Sequence, residues 1–212
     1  MIEIYGTSHI AQESYQGINK IIKKEEPDVI AVELDEARLN SMIGKRESGS
    51  ISLIPLLMKK LQERLGKKTG VMPGEEMLRA VRAAEENEID LALIDQPISK
   101  TIRDIQSIPL FEKAKLVISL LAGFFVPYIG IGEKIDLRKV PDDEFIEKAM
   151  EEFQEVFPQL YELLVEERNR IMANNLLALE KRYDKVLAFV GAGHKKGMQE
   201  ILRNFEGRDS SQ

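Results

Sequence analysis

Cysteine and tryptophan are absent from the 212-residue chain, and histidine occurs twice. Without cysteine no disulfide, thiolate nucleophile or sulfur-bound zinc site can form, so any metal here must be held by histidine, carboxylate or water. An excess of positive charge is missing too: the net charge is −6 and the isoelectric point lies near 5.2. Nucleic-acid binders draw most of their affinity from clustered Lys and Arg facing phosphates, so no nucleic-acid partner is expected. The lysine pairs at 23–24, 59–60 and 67–68 are short, which marks them as solvated faces. The opening "MIEIYG" lacks a basic stretch followed by a long apolar one, so no secretory signal is read and the expected location is cytoplasmic.

Long apolar runs are scarce as well. "LVISLLAGFFVPYIGI", residues 116–131, carries no charge across sixteen residues. A membrane-crossing helix needs about 20 apolar residues, and this run is interrupted by Gly123 and Pro127. It reads as a buried or subunit-contacting helix ending near Pro127. The alternative is a membrane-contacting or homodimer-forming insertion, since Phe124, Phe125 and Tyr128 cluster at one end.

Several catalytic signatures are also lacking, among them the G-x-x-x-x-G-K-[ST] phosphate loop, the H-E-x-x-H helix and the G-x-S-x-G elbow. In "VGAGHKKG", Gly191, Gly193 and Gly197 are spaced like a dinucleotide fingerprint, but fifteen residues after Gly197 leave no room for the second strand and its acid.

What the chain does contain is alternation. Strand patterns at "IEIYG" (2–6), "DVIAVELD" (28–35), "IDLALID" (89–95) and "KVLAFVG" (185–191) are separated by helical patterns at 12–27, 36–44, 74–88 and 99–106, with a last helix at 195–205. This order predicts an α/β fold: a mostly parallel central sheet with flanking helices. Two stretches depart from the alternation. Residues 44–73 hold Gly, Ser and Pro around "LIPLLMKKLQERL" and read as a loop or lid with a helix in it. Residues 108–183 contain no strand pattern and read as a large helical insertion, with a break around Pro158. The whole is expected to form one domain.

In a parallel sheet the loops leaving the carboxyl ends of the strands gather on one edge, where ligands bind. Here those loops carry Gly6, Thr7, Ser8 and His9; Glu33 and Asp35; Asp95 and Gln96; and Gly191, Gly193 and His194. Acids with histidines suit a hard or borderline divalent ion, or general acid–base work. Each histidine alone reads as a packing or capping residue. Both in one G-x-x-H context at strand ends read as a shared site. Glycine at a strand end permits positive φ and close backbone approach. Ser8 and His9 are adjacent, an arrangement that seldom makes a nucleophile–base pair. On the long helix, "EERNRIMANN" puts Arg168 and Met172 on one face and Asn169 and Ala173 on the next. The Arg is either meeting something polar at the site or is salt-bridged to a neighbouring helix.

Together these blocks resemble the TraB/PrgY family of the TIKI superfamily: Gly6-Thr7-Ser8-His9 with Glu13 and Ser14; Val32-Glu33-Leu34-Asp35 with Arg38; Asp95-Gln96 with Thr101 and Arg103; Arg168-Asn169 with Met172-Ala173; and Val190-Gly191-Ala192-Gly193-His194. The resemblance covers nearly the whole chain. It implies a fold similar to that of ChaN and the erythromycin esterases, and a metal-dependent peptidase activity using manganese or cobalt. Bacterial members are linked to pheromone shutdown, so the implied substrate is a peptide. Carried over residue by residue, His9, Glu33 and His194 become ligands of the divalent ion. Glu13 or Glu33 handles the water, and Arg168, with Arg103 as the alternative, steadies the oxyanion beside Asn169. One departure is that the family often has Asp-Arg where this chain has Asp95-Gln96, so a charge expected near the site is missing. Another is that the chain ends in the polar "EGRDSSQ", where many members continue into membrane-spanning helices; a shortened form is the expectation. The alternative to catalysis is a binding module that sequesters a signalling peptide or a cofactor such as haem.

Overall fold

A computed structural model of the chain describes residues 1–7, 12–44, 75–115 and 143–209. The lid region proposed for 44–73, almost entirely, and the apolar run at 116–131 lie outside the described residues. In chain order the elements are β1 (Ile2–Thr7), α1 (Gln12–Glu25), β2 (Val29–Val32), α2 (Glu36–Met42), α3 (Glu75–Glu86), β3 (Asp90–Leu93) and α4 (Ile98–Ser107). Residues 110–115 are helical. They are followed by α5 (Asp143–Val156), α6 (Pro158–Tyr161), a π-helical turn (Glu162–Glu166), α7 (Glu167–Glu180), β4 (Val186–Gly191) and α8 (Ala192–Asp209). The break expected near Pro158 is there, with Pro158 opening a new helix after Phe157, a position that needs no backbone N–H from it. Among the described residues no helix is long and apolar enough to cross a membrane.

The four strands form one parallel sheet in the order β1-β4-β2-β3. The first and last strands of the chain are therefore neighbours, paired from Ile2↔Val186 to Thr7↔Gly191. On the other side of β4, Val32 pairs with Phe189. The carboxyl ends of β1, β4 and β2 thus lie side by side.

Alternation along the central strands sends side chains to both faces. Val29, Ala31, Val186, Ala188 and Val190 pack with Met172, Ala173, Leu176, Met198 and Leu202, so α7 and α8 cover one face. Ile30, Val32, Leu187 and Phe189 pack with Ile18, Ile22, Met77, Ala80, Val81 and Ala84, so α1 and α3 cover the other. This double cover explains why β2 and β4 are almost unbroken apolar runs. A smaller cluster of Ile108, Phe157 and Leu160 joins α4 to the region around the π-turn.

Two details differ from the expectation. The last helix begins at Ala192, directly after the strand, so His194 lies in the first turn of α8 rather than in a loop before it. Among the described residues the only glycine with positive φ is Gly44, at 82°, closing α2. The strand-end glycines are there for close approach instead: a Cβ on Gly6 would stand 3.2 Å from the Ala192 Cα, tighter than ordinary contact, so a side chain there would press β1 away from the start of α8 by a few tenths of an ångström.

Phe189 is fully buried in the second cluster, with its ring 6.2 Å from that of Tyr5. Phe189→Ala is expected to lower the unfolding free energy by about 3–5 kcal/mol. Urea denaturation should show this as a reduced midpoint at unchanged slope.

Candidate functional site

Asp35 begins the construction. Its Oδ1 accepts from the backbone N–H groups of Ala37 (2.9 Å) and Arg38 (3.2 Å), capping α2, and its Oδ2 accepts from Ile98 N (3.2 Å) at the start of α4. One carboxylate thereby fixes the openings of two helices. The cap also aims Arg38, whose Nε lies 3.3 Å from Asp35 Oδ2 and whose Nη1 lies 2.8 Å from Asp95 Oδ2.

Glu33 follows β2 directly and is held by β4: its backbone N donates to Phe189 O at 3.1 Å, and its Oε2 accepts from Gly191 N at 2.6 Å. Asp95 follows β3, where its Oδ1 accepts from Gln96 N at 2.8 Å. These two carboxylates face Arg168, which α7 brings over the sheet edge. Arg168 Nε donates to Asp95 Oδ1 (3.0 Å), Nη2 donates to Asp95 Oδ2 (2.7 Å) and to Glu33 Oε1, and Nη1 donates to Leu164 O (3.2 Å) and to His194 Nε2 (3.1 Å). A guanidinium has five N–H donors, and all five are engaged. Leu164 lies in the π-helical turn just before α7, which places its carbonyl against the Arg168 side chain one turn on.

The arginine also decides the state of the histidine. A guanidinium only donates, so His194 Nε2 must accept, and the ring proton sits on Nδ1. That proton is donated to Asn169 Oδ1 at 2.8 Å. Asn169 can approach because position 197 is glycine: a Cβ there would lie 2.4 Å from Asn169 Nδ2. Glu33, Asp95, Arg168, Asn169 and His194 are all buried. Burial alone would lower the Arg168 pKa, but the hydrogen bonds and charges of Asp95 and Glu33 outweigh it and hold the pKa above its ordinary value.

The expected site residues fall into three groups. Glu33, Arg168, Asn169 and His194 are brought together. Arg103, the alternative to Arg168, is exposed on α4. His9 lies outside the described residues, as does the side chain of Glu13, whose backbone is in the first turn of α1. Two participants were not assigned a role from sequence, Asp95 and Arg38. Their signal was there in the Asp95-Gln96 pair after β3 and in the Arg38 three residues beyond Asp35. The charge that Gln96 lacks is supplied to Asp95 by Arg38, while Gln96 Nε2 donates to buried Thr101 Oγ1 at 2.9 Å.

Part of this set fits a divalent ion. Glu33 Oε1 and His194 Nε2 stand 3.4 Å apart. Two ligands each about 2.1 Å from a tetrahedral ion are separated by about that distance. Among the described residues no group of three His, Asp or Glu completes such a site. The single lone pair of His194 Nε2 cannot serve both an ion and Arg168 Nη1, so the two are alternatives at that atom.

Nitrogen-15 NMR of His194 is expected to show the Nδ1–H tautomer at neutral pH, and an Nε2–H tautomer would contradict this hydrogen-bond scheme. Arg168→Met leaves two buried carboxylates short of donors, and it is expected to cost about 3–5 kcal/mol of stability by chemical denaturation.

The model of the TraB/PrgY/gumN family matches residues 1–210. Among curated relatives, an uncharacterized protein of Methanocaldococcus jannaschii is 31% identical over an alignment covering 97% of this chain and 54% of that protein. TraB domain-containing proteins of Bos taurus and Homo sapiens are 25% and 24% identical, each alignment covering 93% of this chain and 61% of the relative. The chain thus spans between about half and three-fifths of the length of the relatives it matches. It carries in one fold the ordered blocks that contain Glu33, Asp95, Arg168 and His194, and it belongs to the TraB/PrgY/gumN family.

Proposed function

We propose that this chain is a hydrolase domain that cleaves a peptide bond at the carboxyl edge of its sheet, with Glu33, Arg168 and His194 as the working groups. The observation carrying this reading is the buried Arg168, whose five N–H groups hold a carboxylate and an imidazole 3.4 Å apart at that edge. Manganese or cobalt, held by His9, Glu33 and His194, would when bound supply a water of lowered pKa.

The protein's own groups divide the remaining work. Glu33 keeps Oε2 on Gly191 N, so the carboxylate is oriented by the strand end while Oε1 faces His194. Glu33 Oε1 either binds the ion or accepts a water proton, and with the ion bound that acceptor is Glu13. Asn169 sets the His194 tautomer by accepting the Nδ1 proton, which keeps the Nε2 lone pair turned to the site. Arg168 has two N–H groups that can be withdrawn without unpairing a carboxylate, both on Nη1: one is given to Leu164 O and the other to His194 at the site. The second is the one to meet a developing oxyanion.

Capture without chemistry is the second reading, and one observation favours it: every donor of Arg168 already has a protein acceptor. The two readings part on turnover. Incubated with a mixed peptide library and manganese or cobalt, the wild-type chain is expected to release fragments detectable by mass spectrometry. Glu33→Gln and His194→Ala should abolish release, and Arg168→Lys should slow it by about 10²–10³-fold. Intact peptide retained in stoichiometric amount with no fragments would establish sequestration instead. Equal cleavage by wild type and His194→Ala would overturn the assignment of this site.

A further inference from the structure

A cleft of about 460 Å³ lies beside the site, walled by α5, α7 and α8, and it reaches Asn169. That volume is within the range of pockets that take small ligands. We propose that this cleft receives the amino-terminal residues of a peptide, with the terminal ammonium at an acidic rim and a backbone carbonyl on Asn169 Nδ2. The inference deepens the function proposed above and rests on it for the peptide nature of the ligand.

Of the polar side chains lining the cleft, Asn169 is the buried one. Asn169 is 1% exposed, and its Oδ1 is committed to His194. Its Nδ2 has no hydrogen-bond partner among the described residues and is not sealed away from the cleft that Asn169 lines. An amide N–H that faces a cleft and meets no protein acceptor is open to a ligand oxygen, which would replace water there. Small residues let its walls close up: at Gly193 a Cβ would lie 2.9 Å from Met150 Sδ, and at Gly197 it would strike Asn169 Nδ2, so Met150 and Asn169 pack directly on the α8 backbone at the side of the cleft.

The rim has the opposite character. Glu147, Glu151, Glu166 and Glu200 face Lys195 and Lys196, and Lys196 is paired to Glu147. Carboxylates are left in excess. Glu166 and Glu200 both act on the Tyr161 phenol, whose pKa is raised first by burial and then by these two acids. A cavity with a buried donor and surplus negative charge at its mouth selects a ligand with an acceptor inside and a cation outside. The amino terminus of a peptide carries both within one residue, whereas a lysine side chain carries the cation with no carbonyl next to it.

Asn169 joins this cleft to the chemistry. The amide that meets the ligand through Nδ2 also holds the His194 ring through Oδ1, so Asn169 acts as a positioning residue for both.

The test uses the full chain carrying Glu33→Gln, which prevents turnover, and fluorescence anisotropy with a hexapeptide of alanine and serine labelled with fluorescein at its carboxyl end. Three forms of the probe are compared: a free amino terminus, an acetylated one, and an acetylated one with an internal lysine. The free form is expected to bind at least about tenfold more tightly than either acetylated form. Adding Glu151→Gln with Glu200→Gln should weaken the free form by about three- to tenfold and leave the acetylated forms unchanged, the effect shrinking in high salt. Equal affinity for the free and acetylated probes, absence of binding, or indifference to the glutamine substitutions overturns the proposal. Recovery of affinity by the internal lysine overturns the amino-terminal assignment. Selective binding in a protein that never cleaves peptides removes only the hydrolase reading, and cleavage by the wild type that ignores acetylation removes only this one.

Discussion

One buried guanidinium organises the functional edge of this protein. Arg168 lies at the junction of three layers of structure: β2 and β3 send it Glu33 and Asp95, α8 sends it His194, and the turn before its own helix sends it the Leu164 carbonyl. Taking a guanidinium out of water is unfavourable unless every N–H finds an acceptor, and each one here does. The arrangement is correspondingly intolerant of half-measures. The carboxylates need the arginine as much as it needs them, so the ends of three strands are locked together by one side chain from a helix far along the chain.

The parallel sheet makes that convergence geometrically available. Pairing β1 with β4 brings the start and the end of the chain to one edge, and β2 on the other side of β4 adds its own carboxyl end. Arg38 extends the network outward. It is aimed by the Asp35 cap of α2, which also receives the opening of α4, so the same hydrogen bonds that terminate helices also orient the charges around Asp95. Structural capping and electrostatic preparation of the site are one set of contacts.

The small residues of α8 serve packing rather than backbone torsion. Gly193 and Gly197 lie directly against the Met150 and Asn169 side chains, so a Cβ at either would displace its neighbour, and the result is a helix that comes near α5 and α7 while leaving a cleft between them. The imidazole of His194 is therefore supported from behind by an amide that is itself placed by the absence of a Cβ.

Alternating apolar and helical patterns were sufficient to read the four strands, the helices around them and the parallel sheet, but not the order of its strands, because a doubly covered strand must be apolar on both faces and a covering helix must repeat every three to four residues. The strand-end positions of Glu33, Asp95 and His194 were legible for the same reason. The purpose of the glycines was not, since close approach depends on which residue of another helix lies opposite: Met150 is distant in sequence from Gly193, and Asn169 from Gly197, yet each is close in space. Nor was the choice between Arg168 and Arg103, which periodicity leaves open: only the packing of α7 across the sheet buries one of them against two carboxylates and leaves the other exposed. Sequence by itself determined the fold class and the edge on which polar groups collect, because both follow from local patterning. The partners of each charge, the tautomer of His194 and the cleft beside Asn169 were decided by the tertiary structure, because each depends on atoms contributed by elements that only folding brings together.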